Sequence, residues 1–227
     1  MKTSKHFYYP KSRVLKSREL QRVYRTLRKA RGHLRWWPAD SPFEVMIGAI
    51  LTQNTAWVNV EKAIRNLKKS GKLNLRALLN IRQGMLAALI RPAGYFNIKA
   101  DRLKHFVRFL DTEYSGNLKR MSREDKAVLR EKLLNVKGIG PETADSILLY
   151  ALGKPSFVID AYTKRIFARH RLHGLHSPYE EWKKAFEENL PQNRDLYNDF
   201  HAQIVEIGKN YCRSKPRCES CPLYAYL

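Results

Sequence analysis

Apolar residues recur every three or four positions along most of the chain. This spacing is typical of helices that bury one face, whereas the strict alternation that would predict strands is scarce. The pattern therefore predicts an all-α fold. The predicted helical segments are 20–27, 45–51, 58–67, 75–79, 85–90, 99–110, 126–134, 142–152, 162–171, 179–189 and 194–210.

Proline and glycine stand mainly between these predicted helices, as at Pro42, Gly84, Gly94 and Pro191. Such residues punctuate helical patterns because proline cannot continue a helix and glycine weakens one. The sequence shows no internal repeat and no low-complexity linker. A chain of 227 residues can bury a sizeable core. Any lobes would therefore form by packing rather than by tethering.

The charge of the chain indicates a polyanionic partner. It holds 43 Lys and Arg residues against 21 Asp and Glu residues, a formal net charge of +22. Nucleic acid and an anionic membrane surface both fit such a balance. No apolar run approaches the roughly 18 residues that a membrane-spanning helix needs. The sequence therefore excludes a bilayer-spanning protein, while nucleic acid and a membrane surface both stay open as partners.

The first 35 residues are strongly basic, with Glu19 as their one acid. An organelle transit peptide is one interpretation of this composition. Helical spacing at Leu20, Val23, Tyr24 and Leu27, however, favours an integral helix with a basic outer face.

All three cysteines lie in the last sixteen residues, which argues against a disulfide framework and indicates a reducing compartment. We therefore expect a cytoplasmic protein, associated with the nucleoid if the source is prokaryotic.

The stretch from Leu134 to Ala144 reads as helix, glycine hairpin, helix. Gly138 and Gly140 tolerate positive φ and let backbone N–H groups approach an anion closely. Pro141 favours a helix start, so a positive helix end would face the same anion. The candidate phosphate-contacting residues here are Lys137, Gly138, Gly140 and Thr143. An ordinary helix–helix turn is the alternative.

Asp160 stands between the apolar run 156–159 and a predicted helix start. A plain helix N-cap is the simplest interpretation of an aspartate in this place. A carboxylate held beside a sugar can also stabilise positive charge that develops when an N-glycosidic bond breaks.

The hairpin, its second helix and the downstream Val158-Ile159-Asp160 resemble the signature of the endonuclease III superfamily of DNA glycosylases. That resemblance implies a helix-hairpin-helix at about 127–152, a base excision repair function on double-stranded DNA, and Asp160 as the catalytic residue. In endonuclease III a lysine nucleophile directly precedes the Thr-Ala of the second helix, and Glu142 stands there in this sequence. The resemblance therefore implies a monofunctional glycosylase without lyase activity, although Lys137 and Lys164 lie nearby.

The resemblance extends to the motifs at 50–55 and 94–100, and so covers roughly residues 36–221. By family pattern Gln53 and Tyr95 enter the duplex where a base has been flipped out, since the vacated space must be filled. A helix-terminal amide and a core aromatic are the respective alternatives.

Trp36-Trp37-Pro38, the run ending in Trp57, and the motif at 91–97 resemble a narrower branch, the endonuclease-III-like 3-methyladenine DNA glycosylases of the MagIII type. This implies a base pocket formed by Trp37 and Trp57, with Glu142 paired to Lys209. Electron-rich indole faces suit alkylated purines because these bases carry positive charge. We expect Trp36 to belong to the core instead.

Cys212, Cys218 and Cys221 resemble the C-terminal loop in which the superfamily holds a 4Fe-4S cluster with four cysteines. The first spacing is one residue short, and the position of the fourth cysteine is Leu227. Three interpretations stay open. They are a cluster with an outside ligand, a decayed loop of free thiols, and a zinc site completed by a histidine such as His201.

Taken together, these patterns predict a monomeric helical glycosylase with two lobes that flank a basic DNA-binding cleft. Residues 1–38 and 156–227 would form one lobe, and residues 39–155 a six-helix lobe that contains the hairpin. The alternative activities are removal of mismatched or oxidised pyrimidines and recognition of lesions without cutting.

Overall fold

The computed structural model describes residues 16–34, 36–170, 172 and 176–226. These residues contain helices and no β-strand, so the predicted all-α fold is confirmed. Within the same residues no helix is both long and apolar enough to cross a membrane. The helices are α1 (Ser17–Arg31), α2 (Pro42–Leu51), α3 (Trp57–Lys69), α4 (Leu75–Asn80), α5 (Gln83–Leu89), α6 (Phe96–Tyr114), α7 (Leu118–Arg123), α8 (Lys126–Leu134), α9 (Pro141–Ser146), α10 (Ala161–Arg169), α11 (Tyr179–Glu187) and α12 (Arg194–Asn210).

These helices fall into two compact units. The described residues within Met1–Trp36 and Phe157–Leu227 form one unit, and Trp37–Ser156 forms the other. We call the first the terminal unit and the second the hairpin unit. The boundaries expected from the sequence were residues 38 and 155.

Helix α2 lies at the centre of the hairpin unit. Every residue from Glu44 to Leu51 is buried, because the helix is apolar on nearly all sides and packs against α3, α6 and α9. The expectation of six helices in this unit was wrong, since it contains eight α-helices. Helices α4 and α7 are each only six residues long. Each is closed at its start by an asparagine side chain, Asn74 or Asn117, that accepts a backbone N–H.

In the terminal unit, the core is built from aromatic side chains. Helix α12 packs against α1 and α10, and Trp182 on α11 is fully buried. Rings of this core stack at tilted or edge-on angles, with centroids 4.4 Å apart for Phe157 and Phe186 and 4.9 Å apart for Phe167 and Phe186. The basic N-terminal segment from Ser17 is an integral helix, as its apolar spacing predicted, while residues 1–15 lie outside the described part.

A buried ion pair joins the two helices that flank the hairpin. Arg130 on α8 donates two hydrogen bonds to Asp145 on α9, at 2.9 and 3.1 Å. The Asp145 side chain is fully buried, and Ser156 Oγ donates to it at 2.6 Å. Past Ser146 the chain continues as a π-helical segment over Ile147–Ala151.

We expect Asp145→Asn to lower the free energy of unfolding by about 3–5 kcal/mol, because it removes the anionic partner of a mostly buried guanidinium. Asp101→Asn is the matched control, since Asp101 pairs with an exposed cation, Lys137, at 3.3 Å. Exposed pairs contribute about 0–1 kcal/mol. Urea unfolding of both variants measures the difference. Equal losses would show that the buried pair does not hold the hairpin helices together.

Candidate functional site

The hairpin between α8 and α9 is a tight backbone turn. Gly138 has φ +89°, and a Cβ there would overlap the Arg102 side chain, so both conformation and space require glycine. Gly140 has φ −94° and open space around it. Gly140 is therefore the extended N-cap of α9, and of these two glycines Gly138 is the one that uses a positive φ. Val136 and Ile139 are buried beneath the turn.

Gln53 connects the end of α2 to this hairpin. Its Nε2 donates to Gly138 O at 3.0 Å and to Thr143 Oγ1 at 2.9 Å. Its Oε1 accepts a hydrogen bond from Arg102 on α6. The structure thus brings together three residues that the sequence predicted to contact DNA, and it adds Arg102. Nothing in the sequence pattern distinguished Arg102 from the other cations of its helix.

Tyr95 is the most exposed large apolar side chain among the described residues, at 68%. It has φ +45° and follows Gly94 with φ +66°, so two consecutive residues adopt the left-handed region. A bulky residue rarely takes this conformation, which costs of order 1–3 kcal/mol and persists only where the surroundings fix it. The alternative of a core aromatic is excluded by this exposure.

Lys99 is a buried lysine beneath both of these residues. It is 1% exposed, and its Nζ lies 2.8 Å from Leu51 O, 2.5 Å from Thr55 Oγ1 and 2.8 Å from Ala93 O. Burial, and to a lesser extent the Arg102 guanidinium, lowers the pKa of Lys99 to about 8. Sequence reasoning missed this residue. A lysine among apolar positions of a helix pattern was the signal for it.

Asp160 is the N-cap of α10 in the terminal unit. Its Oδ1 accepts from the backbone N–H of Thr163 at 2.7 Å and from Thr163 Oγ1 at 2.8 Å. The other carboxylate oxygen, Oδ2, is not engaged by Thr163. The side chain is 12% exposed. The simple N-cap interpretation therefore describes one oxygen of Asp160, while the second oxygen points elsewhere.

That second oxygen lies 3.7 Å from Nε2 of His201 on α12, beyond hydrogen-bond distance. Burial lowers the pKa of His201, although the Asp160 carboxylate partly opposes this shift. The imidazole is therefore neutral at neutral pH. Helix α10 packs closely against α12, since the ring of Tyr162 occupies the space that a Cβ at Gly208 would need.

Trp37 and Trp57, the predicted pocket residues, lie together in the hairpin unit. Their rings meet edge-on with centroids 5.2 Å apart, and both pack near Gly48 of α2. Tyr150 completes the cluster at 4.9 Å from Trp37, an aromatic contact that sequence reasoning missed. Trp37 has φ +70°, so its backbone is strained as well. We call Trp37, Trp57 and Tyr150 the aromatic cluster.

Lys209 lies in the terminal unit with its Nζ 5.1 Å from the Trp36 ring centre and 3.9 Å from Glu206 Oε1. Trp36 is half-buried and carries this cation on its face, so it is not the core residue that we expected. Glu142 lies in the first turn of α9 in the hairpin unit. The pairing of Glu142 with Lys209 would join residues of the two units and stays a prediction.

The three cysteines line one small cavity of the terminal unit, together with residues of α10 and α12. Cys212 is buried and accepts from Arg169 Nη1 at 3.3 Å, and burial raises the pKa of the Cys221 thiol. In the part of the chain that the structure describes, no three Cys, His, Asp or Glu side chains are grouped to hold a metal ion. The cysteines therefore do not fit a four-thiolate site, and a cluster with an outside ligand stays a prediction. Completion of a zinc site by His201 is wrong, since His201 lies beside Asp160.

Comparison with protein families identifies this combination of hairpin and aspartate. A family model described as "HhH-GPD superfamily base excision DNA repair protein" matches residues 47–192. The match includes the hairpin, Asp160 and the loops that carry Gln53 and Tyr95.

Individual relatives match over most of the chain. A protein of Methanocaldococcus jannaschii that carries the provisional name of a DNA repair glycosylase is 48% identical over 206 residues, 90% of this chain and 93% of its own. Endonuclease III of Thermotoga maritima is 30% identical over 181 residues, 79% of each chain. Among solved structures, the 3-methyladenine DNA glycosylase MagIII of H. pylori bound to 1,N6-ethenoadenine is 30% identical with a TM-score of 0.73. That similarity covers 86% of this chain and 98% of the other.

Proposed function

The chain belongs to the HhH-GPD superfamily of base excision DNA repair proteins and is a DNA glycosylase of that family, and we propose that it removes alkylated purines without cutting the strand. The observation that carries the proposal is the Asp160 carboxylate, with one oxygen fixed by Thr163 and the other not so engaged. In this proposal the damaged base is flipped out of the duplex, and the hairpin binds the phosphate backbone.

Asp160 acts on the sugar in this mechanism. As the bond between C1′ and the base nitrogen breaks, the electron pair leaves with the base and positive charge develops on the sugar. The fixed carboxylate stabilises that charge, and it accepts a proton from the water that attacks C1′. The pair of hydrogen bonds from Thr163 holds Oδ1, so the carboxylate keeps its orientation throughout.

The aromatic cluster supports an alkylated purine as the substrate. Trp37, Trp57 and Tyr150 bring three electron-rich rings together, and the faces of such rings attract a cationic base through cation–π stacking. The similarity to MagIII, whose solved structure holds an ethenoadenine base, points in the same direction.

Glu142 supports the monofunctional part of the proposal. A lyase needs an amine that attacks C1′ and forms a Schiff base, and a carboxylate cannot do this. Lys137 is the nearest alternative amine in sequence. Its side chain is 71% exposed and pairs with Asp101, whereas a Schiff-base lysine is normally activated by desolvation.

A second candidate is removal of a damaged or mismatched pyrimidine, which the 25% identity over 198 residues to a thymine/uracil-DNA glycosylase of Pyrobaculum aerophilum favours. Lesion binding without cutting is the remaining alternative. Its weakness is that a mere binding module has no use for a fixed carboxylate such as Asp160.

The test is a panel of duplexes that each contain one lesion: 3-methyladenine, ethenoadenine, uracil opposite guanine, or an oxidised pyrimidine. We expect base release from the alkylated purines, and strand scission only after alkali treatment. Sodium borohydride should trap no covalent complex, because no Schiff base forms. Endonuclease III of Thermotoga maritima is the positive control for trapping. Base release from the pyrimidine lesions alone would overturn the proposed purine substrate. A trapped complex would overturn the monofunctional mechanism. No release from any duplex would favour a protein that binds lesions without cutting.

A further inference from the structure

The hydrogen bonds of Lys99 connect two loops of the hairpin unit. An ammonium has three protons to donate, and Nζ has three acceptors within reach, at Leu51 O, Thr55 Oγ1 and Ala93 O. Leu51 is the last residue of α2 and lies two positions before Gln53. Ala93 lies two positions before Tyr95. The two loops are thus held by a single buried cation.

Thr55 strengthens the same connection. Its Oγ1 lies 2.5 Å from Ala93 O, so the loop after α2 and the turn before α6 also contact each other directly. The turn continues into Gly94 and Tyr95, both in the left-handed region. Gly94 takes this φ without strain, but Tyr95 does not, so the conformation of Tyr95 depends on its surroundings. The contacts to Ala93 fix the residue two positions before Tyr95, beside the backbone hydrogen bonds from Gly94 N to Arg91 O and from Lys99 N to Tyr95 O.

We propose that Lys99 is the positioning residue that fixes Gln53 and Tyr95 relative to each other, so that both enter the duplex together at the flipped base. The inference rests on the proposed function of these two residues. Lys99 itself is buried and does not touch DNA in this scheme. It acts through the two loops. The side-chain amide of Gln53 is held separately, by its hydrogen bonds to Gly138 and Thr143.

The same helix offers a matched control. Lys104 on α6 is also buried, at 7% exposure, and its Nζ donates to Leu78 O and Leu79 O at 2.8 Å each. These carbonyls belong to α4, which contains neither of the two residues predicted to enter the duplex. Lys99→Met and Lys104→Met therefore remove the same chemical group from similar burial, and only the first removes hydrogen bonds that connect the two loops.

The experiment measures insertion and excision separately. A duplex with a tetrahydrofuran abasic analogue opposite 2-aminopurine reports, by fluorescence, the filling of the vacated space, and single-turnover kinetics on ethenoadenine duplex report base release. We expect Lys99→Met to lose most of the fluorescence response and to lower the excision rate by about 100-fold, because misplacement by about 1 Å costs this much. Lys104→Met, at comparable thermal stability, should change each by less than about 3-fold.

A second background separates positioning from general support of the core. In the Gln53→Ala/Tyr95→Ala double variant, Lys99→Met should have almost no additional effect, since residues that act through one another are not additive. A full additional loss in this background, or a loss no larger than that of Lys104→Met, overturns the proposal. If Lys99→Met does not fold, Thr55→Val removes, at conserved shape, one of the three Lys99 contacts together with the direct contact to Ala93 O. It should lower insertion by at least about 10-fold, since one of the lost hydrogen bonds is to a charged group.

The two readouts distinguish this inference from the proposed reaction. If the wild type releases no base from any duplex but its fluorescence response still depends on Lys99 through Gln53 and Tyr95, the reaction is wrong and the positioning role stands. If excision is normal and the fluorescence response is independent of Lys99, the positioning role is wrong and the proposed reaction stands.

Discussion

Replacement of Asp160 by Asn is expected to lower the rate of base release by about 100- to 1000-fold, the effect of removing one preorganised group that stabilises transition-state charge. The fold should survive, because asparagine is as good an N-cap as aspartate and its Oδ1 can still accept from Thr163. DNA binding should persist as well, because it depends on the fold that the variant keeps. Single-turnover excision and the melting temperature of the variant measure the two effects separately.

The matched control is Asp125→Asn. Asp125 caps α8 by accepting from the N–H groups of Ala127 and Val128, so this variant makes the same chemical change at the same kind of helix start. It should change the excision rate by less than about 3-fold, since surface changes away from the site usually cost under 0.5 kcal/mol. Equal rates for Asp160→Asn and the wild type would leave Asp160 with a structural role only, and the proposed mechanism would be abandoned.

The affinity for duplex DNA should fall by about 10³- to 10⁵-fold between 50 and 200 mM salt if six to ten phosphates are contacted. The physical reason is counterion release: each phosphate that a lysine or arginine neutralises frees a condensed cation, so the logarithm of affinity falls linearly with the logarithm of salt concentration. The net charge of +22 provides many such groups. Fluorescence anisotropy with an abasic-analogue duplex measures the slope.

Lys137 allows the salt dependence to be tested at a single residue. Lys137 is 71% exposed on the hairpin, and its replacement by alanine should reduce the magnitude of the salt slope by about one phosphate contact. Glu131→Ala, on the helix before the hairpin, removes an anion instead and should leave the number of phosphate contacts unchanged. A salt-independent affinity would contradict a binding surface built on phosphate contacts.

The sequence was sufficient for the features that depend on local chemistry. Helical spacing gave the α-helices of both units, and Asp160 could be recognised as a helix cap because capping involves residues only three positions apart. The hairpin was visible for the same reason. Gly138 does take the positive φ expected of it, and Pro141 does begin α9. Helix α7 was missed because fewer than two turns contain too few apolar positions to show a period, whereas α4, equally short, was predicted to within one residue.

The sequence by itself thus determined the helical class, the hairpin and the capping aspartate, since each of these is encoded by neighbours along the chain. Only the tertiary structure decided which distant residues meet. It placed His201 beside Asp160 rather than among the cysteines, Tyr150 beside Trp37, and Lys99 beneath two separate loops. Contacts of this kind depend on how helices pack, and a buried lysine or histidine is defined by partners that no local spacing reveals.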